Sequence, residues 1–393
     1  MVGSMNGTIY MPVGEVCSSI SDTYREKKNM VTLINTSDVL EGRVLNHERV
    51  PNSNLKGQFK KTFQRDDILY SEIRPQNRRF AYVDFSPIDY IASTKLMVIR
   101  AKKDVVSPKY LYYFLKNSST VAELQLLAET RSGTFPQITF SEVANLTIPV
   151  PSLAVQEVIV QTMQCLEDKI TCNEQINDNL YAQAKAIFDN HFINIDAIPA
   201  GWRKGNLLDI ANYLNGLAMQ KFRPQGNEIG LPVLKIKELR QGSCDDSSEL
   251  CSLRIKPEYI IHDGDVIFSW SGSLLVDIWC GGTCGLNQHL FKVTSDIYDK
   301  WFYYLWTAHH LARFIAIAAD KATTMGHIKR EELAKAEVLI PCEEDYTSLT
   351  SIMQPIFELI ISNRIEGRKL AVLRDELLPR LMSGEIDVSA VQL

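Results

Sequence analysis

The sequence predicts an α/β (α+β) protein: two mixed α/β domains separated by an antiparallel coiled coil of two long helices, with a pseudo-twofold internal repeat. Three observations lead to this prediction. The second half of the chain repeats the first, each copy contains a heptad pattern, and short strand-like runs alternate with helical ones. The 393 residues are enough for two or more hydrophobic cores.

The repeat is clearest in the segment from Pro136 to Phe192, which recurs in diverged form near the C-terminus. A shift of 190 positions aligns the two copies without a gap after the proline. A repeat of this length is the size of a domain and far longer than a solenoid unit, so it indicates duplicated halves. The aligned pairs include Ile138 and Ile328, Glu142 and Glu332, Pro151 and Pro341, Leu166 and Ile356, Asn173 and Asn363, and Leu180 and Leu370.

Apolar residues in each copy recur at alternating spacings of four and three, the heptad pattern of a coiled-coil seam. The spacing predicts two helices, from Gln156 to His191 and from Tyr346 to Leu381, each about 54 Å long. One such helix alone would more often lie on its own domain, but two matched seams favour a coiled coil. The predicted seam residues are Ile159, Met163, Leu166, Ile170, Asn173, Leu180, Met353, Ile356, Ile360, Asn363 and Leu370.

Asn173 and Asn363 lie near the midpoints of these helices. In an antiparallel pair these two asparagines would face each other and could bond across an otherwise apolar seam. A polar seam position fixes register and orientation at some cost in stability. Antiparallel pairing would also carry the two attached domains to opposite ends, at a fixed spacing.

The predicted boundaries are residues 1–150 for the first domain, 151–195 for the first long helix, 196–342 for the second domain and 343–393 for the second long helix. The first domain contains strand-like runs and one helical run, and three of its segments have counterparts in the second domain, whereas the stretches between them do not match. Two copies of one scaffold with unlike loops are expected to bind two unlike targets. The runs in the first domain are Val31–Ile34, Asp67–Ser71, Lys95–Arg100 and the helical Pro108–Leu115. The matched segments are Ile34–Gly42 with Leu234–Gly242, Asp67–Ser71 with Asp265–Ser269, and Tyr110–Leu115 with Lys300–Leu305.

The composition, 45% hydrophobic and 23% charged, is that of a soluble globular protein. No apolar run is long enough to span a bilayer and no secretory signal pattern opens the chain, so a cytoplasmic protein without a membrane partner is expected. The eight cysteines form no C-x-x-C pair and are expected to be reduced thiols. Cys280 and Cys284 form the one tight pair, for which a turn is favoured over a metal site.

The charge is uneven along the chain. Residues 1–150 carry 19 Lys and Arg against 15 Asp and Glu, a net charge of about +4, although the whole chain has a net charge of −5. Net acidity argues against a protein that binds nucleic acid by charge alone, but it leaves room for local basic surfaces.

Catalytic motifs are missing from the sequence. It contains no G-x-x-x-x-G-K-[ST] phosphate loop, no G-x-G-x-x-G after a strand and no H-E-x-x-H helix. It also lacks the Asn/Asp-Pro-Pro-aromatic segment with which amino-methyltransferases hold a target amine. His309 and His310 follow a helical run, where a core or surface role is favoured over a metal site. The sequence therefore predicts a chain without catalytic or metal-binding residues.

The order of these features resembles the specificity subunit of type I restriction-modification systems. The resemblance rests on a domain, an I-x-x-x-E-[VL]-A segment, Ile-Pro-Val-Pro before a long helix, and a second such module. It covers nearly the whole chain. The chain departs from the family's pattern in two places. It has Cys342-Glu-Glu-Asp where the second long helix starts, and its first domain lacks a Gly-Trp opening. Further similar segments are Ala200–Trp202, Thr323–Ile328 and Leu373–Gly384.

This resemblance implies two target-recognition domains, each reading one half of a bipartite, asymmetric double-stranded DNA sequence, with the paired helices setting the spacer between them. It also implies partners that dock on the helices: two modification subunits that methylate adenine, and restriction subunits. The chain itself would need no cofactor; S-adenosylmethionine, ATP and Mg²⁺ would belong to those partners.

The candidate DNA-contacting residues are polar or basic side chains expected on the loops of the two domains. Arg and Lys select guanine in the major groove, and Asn and Gln select adenine. Some are expected to contact phosphates, which position the protein without specifying sequence. The candidates are Lys56, Lys60, Arg74, Gln76, Asn77, Arg78, Arg79, Thr134 and Gln137 in the first domain, and Lys235, Lys237, Arg240, Trp270, Ser271, Asn287, Gln288, His327 and Lys329 in the second.

Two other functions stay open at this stage. A non-catalytic protein-protein scaffold, with two partner-binding domains joined by a coiled coil, is favoured by the acidic total charge. A self-contained DNA-modifying enzyme would need the motifs that the sequence lacks.

Overall fold

The structure, a computed structural model of the chain, describes residues 8–26, 28–53, 55, 57–131, 134–320 and 328–388. It divides into two compact units. Unit 1 comprises Met1–Asp168 and Ala371–Leu393, and unit 2 comprises Lys169–Leu370. Both long helices cross a unit boundary. The domain boundaries expected at residues 150, 195 and 342 stay predictions.

Unit 1 is built from short strands, four shorter helices and parts of the two long ones. Its helices are α1 (Val13–Val16), α2 (Pro108–Lys116), α3 (Ser118–Arg131), α4 (Phe140–Asn145), the first part of α5 (Leu153–Phe188) and the last part of α11 (Glu343–Met382). Its strands are β1 (Ile9–Pro12), β2 (Cys17–Ile20), β3 (Met30–Ile34), β4 (Val39–Leu40), β5 (Arg43–Val44), β6 (Val50–Pro51), β7 (Phe59–Lys61), β8 (Ile68–Ser71), β9 (Phe80–Tyr82), β10 (Tyr90–Ser93), β11 (Leu96–Ala101) and β12 (Thr147–Val150).

Unit 2 contains the remaining elements and the other parts of α5 and α11. Its helices are α6 (Leu207–Ile210), α7 (Ile236–Gln241), α8 (Lys300–His309), α9 (Leu311–Asp320) and α10 (Arg330–Ala334). Its strands are β13 (Arg203–Asn206), β14 (Asn212–Asn215), β15 (Leu231–Leu234), β16 (Leu250–Cys251), β17 (Ile260–Ile261), β18 (Val266–Ser269), β19 (Leu275–Ile278), β20 (Cys284–Leu286), β21 (Leu290–Thr294) and β22 (Glu337–Ile340).

The duplication predicted from sequence is present in the sheet topology. Unit 1 has four-stranded sheets ordered β2-β11-β8-β9 and β6-β3-β10-β7, and unit 2 has β14-β21-β18-β19 and β16-β15-β20-β17. In each unit the second sheet contains one parallel pair, β3 with β10 or β15 with β20, among antiparallel neighbours. The predicted mixed α/β class with two modules of one fold is therefore confirmed.

The central strands of each unit are buried on both faces. In β8, Ile68 and Tyr70 join a core with α2 and the long helices, whereas Leu69 joins a second core between the two sheets. Successive strand residues point to opposite faces, so a strand between two cores reads as a continuous apolar run. Strand β18 follows the same rule, with Phe268 in one core and Ile267 in another.

The long helices match the sequence prediction to within a few residues. Helix α5 covers Leu153–Phe188, and a π-helical turn, Asp189–Ile193, continues it; α11 covers Glu343–Met382. The predicted strands over Val31–Ile34, Asp67–Ser71 and Lys95–Arg100 are also confirmed, as β3, β8 and β11. Within the described residues, no helix combines the length and the apolar character that crossing a membrane requires.

Candidate nucleic-acid interface

In unit 1, polar side chains gather where β8 ends and β11 begins. Ser71 of β8 lies opposite Leu96 of β11, so the next residue along β8, Glu72, lies beside Lys95. The Glu72 N–H donates to the Lys95 carbonyl at 3.0 Å. Lys95 Nζ lies 3.4 Å from Glu72 Oε2 and donates to Gln137 Oε1 at 3.3 Å. Antiparallel pairing thus places a cation, a carboxylate and an amide side by side.

Arg74 completes this group, which we name patch 1: Glu72, Arg74, Lys95 and Gln137. Its side chain is exposed and its N–H donates to the Pro136 carbonyl at 3.1 Å. The φ angle of Arg74 is +43°, in the left-handed region that residues other than glycine seldom adopt. Such a backbone persists only when the surroundings hold it, and it is found often at functional sites.

Strand β7 carries two further lysines, of which Lys61 lies near patch 1. Lys61 donates from Nζ to the carbonyls of Thr94 (3.0 Å) and Leu96 (2.8 Å), and burial lowers its pKa. The preceding residue, Lys60, is one of the candidates predicted from the sequence, and its side chain is exposed. Because lysine presents a point charge on a flexible stem, exposed Lys60 is suited to a phosphate contact.

The other candidates in unit 1 fall into two groups. Gln76, Asn77 and Thr134 are exposed, the first two on a 3-10 turn, Pro75–Asn77. Arg78 and Arg79 are already bonded within the domain: Arg78 Nη2 donates to Ser118 Oγ at 2.8 Å, and Arg79 Nη1 donates to the Ser37 carbonyl at 3.0 Å. Lys56 lies outside the described residues.

Unit 2 has a corresponding group where β18 ends and β21 begins, which we name patch 2: Asn215, Trp270, Ser271, Gln288 and His289. Ser269 of β18 lies opposite Leu290 of β21. The Trp270 indole N–H donates to Asn215 Oδ1 at 3.0 Å. Ser271 Oγ and His289 Nδ1 are 3.0 Å apart, and Gln288 Nε2 lies 3.4 Å from His289 Nε2.

The other candidates in unit 2 have varied surroundings. Lys235 Nζ lies 2.6 Å from Glu249 Oε1, and Lys237 Nζ donates to Ser247 Oγ at 2.9 Å. Arg240, in the last turn of α7, and Lys329, the residue before α10, are exposed. Asn287 is buried, and its Oδ1 accepts the backbone N–H of His289 at 3.1 Å, which helps to fix the position of His289 in patch 2. His327 lies outside the described residues.

The two patches occupy equivalent backbone positions. The Ile138 N–H donates to the Glu72 carbonyl at 2.9 Å, and the Ile328 N–H donates to the Trp270 carbonyl at 2.9 Å. The register of β8 with β11 and of β18 with β21 also makes Lys95 the counterpart of His289. Identical scaffolds therefore carry Glu and Lys in one unit and Trp and His in the other.

In unit 2, two arginines of α11 fasten the domain to the helix. Arg364 donates to both oxygens of Asp277, on β19, at 2.9 and 2.7 Å, and to the Ile278 carbonyl at 2.8 Å. Arg368 binds both oxygens of Asp263 at 2.8 Å. Burial tends to raise the pKa of Asp263, but the hydrogen bond and charge of Arg368 outweigh it and leave this pKa lowered.

In unit 1, side chains of α5 have the same role. Gln156 Oε1 accepts the Ser107 N–H at 2.8 Å, just before α2. Tyr113 donates to Glu167 at 2.9 Å, and Lys116 also binds Glu167. Burial lowers the pKa of Lys116, although the charge of Glu167 opposes the shift. The domain of each unit is therefore fastened to its own stretch of long helix.

Helices α5 and α11 pair within each unit. In unit 1, the seam residues Ile159 and Met163 are buried and Leu166 packs against the same cluster, together with Leu378 and Leu381 of α11. In unit 2, the seam residues Met353 and Ile360 are buried, and Ile170, Leu180, Ile356 and Leu370 are half-buried.

The seam asparagines in unit 2 bond across the paired helices, partly through a backbone carbonyl. Asn173 Nδ2 donates to Glu366 Oε2 at 2.7 Å and lies 3.5 Å from the backbone carbonyl of Asn363. Asn363 Nδ2 donates instead to Asn177 Oδ1 at 3.0 Å. The pairs run antiparallel, but each side chain reaches about one helical turn past the other because residues i and i+4 share a face. The expected bond between the two asparagines across the seam therefore runs from the Asn173 amide to the Asn363 backbone carbonyl.

The structure clarifies two pairs of residues for which the sequence disfavoured a metal site, His309 with His310 and Cys280 with Cys284. His309 and His310 lie at the end of α8, where burial lowers the pKa of both, and His310 Nε2 is 2.8 Å from the Glu337 carbonyl. Burial also raises the pKa of Cys280. Among the described residues, His, Cys, Asp and Glu form no cluster of three or more suited to a metal ion.

Sequence inspection missed Glu72, Lys95, Asn215 and His289. Glu72 and Trp270 each directly follow the serine of a matched strand, which was a usable signal. Lys95 and His289 reach the patches through antiparallel pairing, which brings together residues distant in sequence.

Comparison with known proteins agrees with this architecture. The model of the type I restriction modification DNA specificity domain matches residues 10–182 and again 199–371. The specificity subunit of the type I restriction enzyme HindI from Haemophilus influenzae is 26% identical over 432 residues, covering 91% of this chain and 94% of the relative. The specificity subunit of the type I restriction enzyme MjaIX from Methanocaldococcus jannaschii is 27% identical over 336 residues, covering 77% of this chain and 76% of the relative.

A solved structure has a similar fold. The crystal structure of the S subunit of a type I restriction-modification system from M. genitalium superposes with a TM-score of 0.53 at 14% identity, covering 97% of this chain and 98% of that one. The family model accounts for both repeats and most of the chain. This chain therefore belongs to the type I restriction modification DNA specificity family, and it is a specificity subunit with two copies of the family domain.

Proposed function

We propose that this specificity subunit reads a bipartite, asymmetric double-stranded DNA target, with one half-site bound by each unit. The observation that carries the proposal is the equivalence of patches 1 and 2. A duplicated scaffold keeps the backbone and the core, but exchanges Glu72 and Lys95 for Trp270 and His289 at the same positions. Different side chains on one frame are what two unlike half-sites require.

The chemistry of both patches suits base edges in the major groove. Patch 1 offers a guanidinium, an ammonium, a carboxylate and an amide, and patch 2 offers amides, an imidazole, a hydroxyl and an indole. Major-groove recognition uses these hydrogen-bonding groups together with apolar contacts to thymine methyl groups. Exposed cations around the patches, such as Lys60 and Lys329, would contact phosphates.

Catalysis in this proposal belongs to partner subunits. The chain would assemble with two modification subunits that methylate adenine and with restriction subunits, in the cytoplasm; S-adenosylmethionine, ATP and Mg²⁺ would bind to those partners. Exposed apolar side chains on α11 support docking along the long helices. They include Ile352, 51% exposed, and Leu359, 46% exposed, in unit 2, and Leu373, 42% exposed, in unit 1.

The length of the long helices would set the spacer between half-sites. Helix α5 has 36 residues, which gives a length of about 54 Å. That length is comparable with one and a half turns of duplex DNA at about 34 Å per turn.

Salt dependence of DNA binding tests the proposal against the scaffold alternative. Binding of the assembled complex to a fluorescent duplex, measured by anisotropy between 50 and 200 mM salt, should weaken steeply, by about tenfold or more, because bound phosphates release counterions. In parallel, the isolated chain should transfer no methyl group to DNA, whereas the chain assembled with modification subunits should methylate DNA. Absence of DNA binding by an assembled complex would favour the scaffold.

A further inference from the structure

We infer that the paired positions 72/95 and 270/289 determine base specificity, such that Glu72 and Lys95 read a G·C pair in one half-site and Trp270 and His289, with Gln288, read an A·T pair in the other. This inference rests on the proposed function and assigns base classes to it. It depends on the equivalence of the positions, the chemistry of each pair, and the scaffold that holds each pair in place.

Backbone hydrogen bonds fix the equivalent positions, and these bonds form whichever side chain occupies the position. Glu72 and Trp270 each follow a buried serine, and the side chains of these serines bond in the same way: Ser71 Oγ to the Ile73 carbonyl at 3.4 Å and Ser269 Oγ to the Ser271 carbonyl at 3.3 Å. A change of side chain at 72 or 270 therefore leaves the frame intact. Positions of this kind can vary between half-sites without a change of fold.

Patch 1 matches the major-groove edge of a G·C pair. Guanine presents two acceptors, N7 and O6, and cytosine presents an adjacent donor, N4. Lys95, 49% exposed, can donate to the guanine acceptors, and Glu72, 3.4 Å away, can accept from cytosine N4. A cation and a carboxylate in contact thus complement both bases of one pair. Guanine gives the ammonium two adjacent acceptors, whereas adenine places its N6 donor beside its single N7 acceptor.

Patch 2 matches an A·T pair. Asn215 accepts the indole N–H of Trp270, and the ring packs against Phe291 with its centroid 5.7 Å away, so these contacts fix the half-buried indole, an apolar group suited to a thymine methyl group. Gln288 lies beside His289, and an amide can bond adenine N6 and N7 at once. The ring centroids of Trp270 and His289 are 6.3 Å apart, so both groups belong to one surface.

The test is the methylated sequence motif produced by the assembled complex, read by sequencing of methylated genomic DNA. For Lys95→Met and Glu72→Gln we expect discrimination at one G·C position of one half-site to fall by about 5- to 150-fold, while the other half-site is unchanged. For Gln288→Ala and His289→Ala we expect a similar loss at an A·T position of the opposite half-site.

Each unit supplies a matched control. Lys103 lies beyond the other end of β11 from Lys95, roughly 20 Å along the strand, and it too is paired with an acid, Asp66, at 2.6 Å. Exposed His262 lies beyond the other end of the β18–β21 pair from His289. Lys103→Ala and His262→Ala should leave the motif unchanged.

The outcomes separate the inference from the proposed function. If the wild-type complex produced no bipartite motif, the proposed function itself would fail. A wild-type bipartite motif that the patch variants left unaltered, or altered in both halves alike, would overturn only the inference. Variants on two residues in each patch are included so that misfolding of one does not decide the result, and an unchanged second half-site verifies assembly.

Discussion

Arg364→Ala should loosen the attachment of the unit 2 domain to α11. The guanidinium makes three hydrogen bonds of 2.7 to 2.9 Å, two of them to the Asp277 carboxylate. Arg364 is 32% exposed and Asp277 27% exposed, so the pair is intermediate between a surface and a buried ion pair.

The magnitude follows from that position. Breaking an exposed pair costs about 0 to 1 kcal/mol, and removing one partner of a buried pair costs about 3 to 5 kcal/mol. We therefore expect Arg364→Ala to lower the free energy of unfolding of unit 2 by about 2 to 3 kcal/mol. For a unit of this size that corresponds to a Tm decrease of roughly 4 to 12 °C.

The assay is calorimetry and denaturant unfolding of the full chain, as a double-mutant cycle with Asp277→Ala. A coupling energy of about 1 to 2 kcal/mol is expected, because the side chains contact each other directly. Lys369→Ala, which removes an exposed cation from the same helix, is the control. If Arg364→Ala shifted Tm no more than Lys369→Ala, the attachment would not depend on this ion pair.

Three further predictions concern acid stability, thiol reactivity and spacer length. The pKa of Asp263 is lowered in the folded state, so its pair with Arg368 should stabilise the fold above about pH 4. That contribution should be lost as the pH falls through the folded pKa, and the difference in unfolding free energy between wild type and Asp263→Asn should shrink over the same pH range. Burial raises the pKa of Cys17 to about 12, so iodoacetamide at pH 8 should alkylate exposed Cys165 and Cys172 first, as mass spectrometry can follow. One extra heptad in both α5 and α11 adds about 10.5 Å of helix and should lengthen the methylated motif's gap by about 3 base pairs, with half-sites unchanged.

Controls and contrary results are defined for each. An Asp263→Asn difference that stayed constant down to pH 3 would contradict the assigned pair. Cys17 alkylated as fast as Cys165 in the folded chain would contradict its burial. A heptad insertion that preserved methylation with the original gap would show that helix length does not set the spacer. A four-residue insertion, which interrupts the heptad and locally unwinds the coiled coil, is the comparison and should destabilise the complex.

Elements defined by local periodicity could be predicted from the sequence. The heptads of α5 and α11 and the buried runs of β8 and β18 depend on spacing within a few residues. The chain shift of 190 positions then identified equivalent residues in the two halves, as Ile138 and Ile328 show. Local patterns and duplication together were enough for the fold.

The candidate site depends on pairing between strands that are distant in sequence, and local sequence periodicity does not specify that pairing. Lys95 joins Glu72 because β11 runs antiparallel to β8, and Gln137 arrives from a segment after α3. Arg78 and Arg79 looked equally suited in sequence, yet their guanidinium groups are bonded within the domain. The partners of Asn173 depend on side-chain reach along the helices, which heptad positions leave undetermined.

The most direct test of the account is methylation mapping in cells that carry this chain with its modification subunits, compared with cells that lack only this chain. The account predicts a methylated adenine motif in two unlike parts with a fixed gap, present in the first cells and lost in the second. Identical methylation in both, in cells where the complex demonstrably assembles, would contradict a role in DNA specificity.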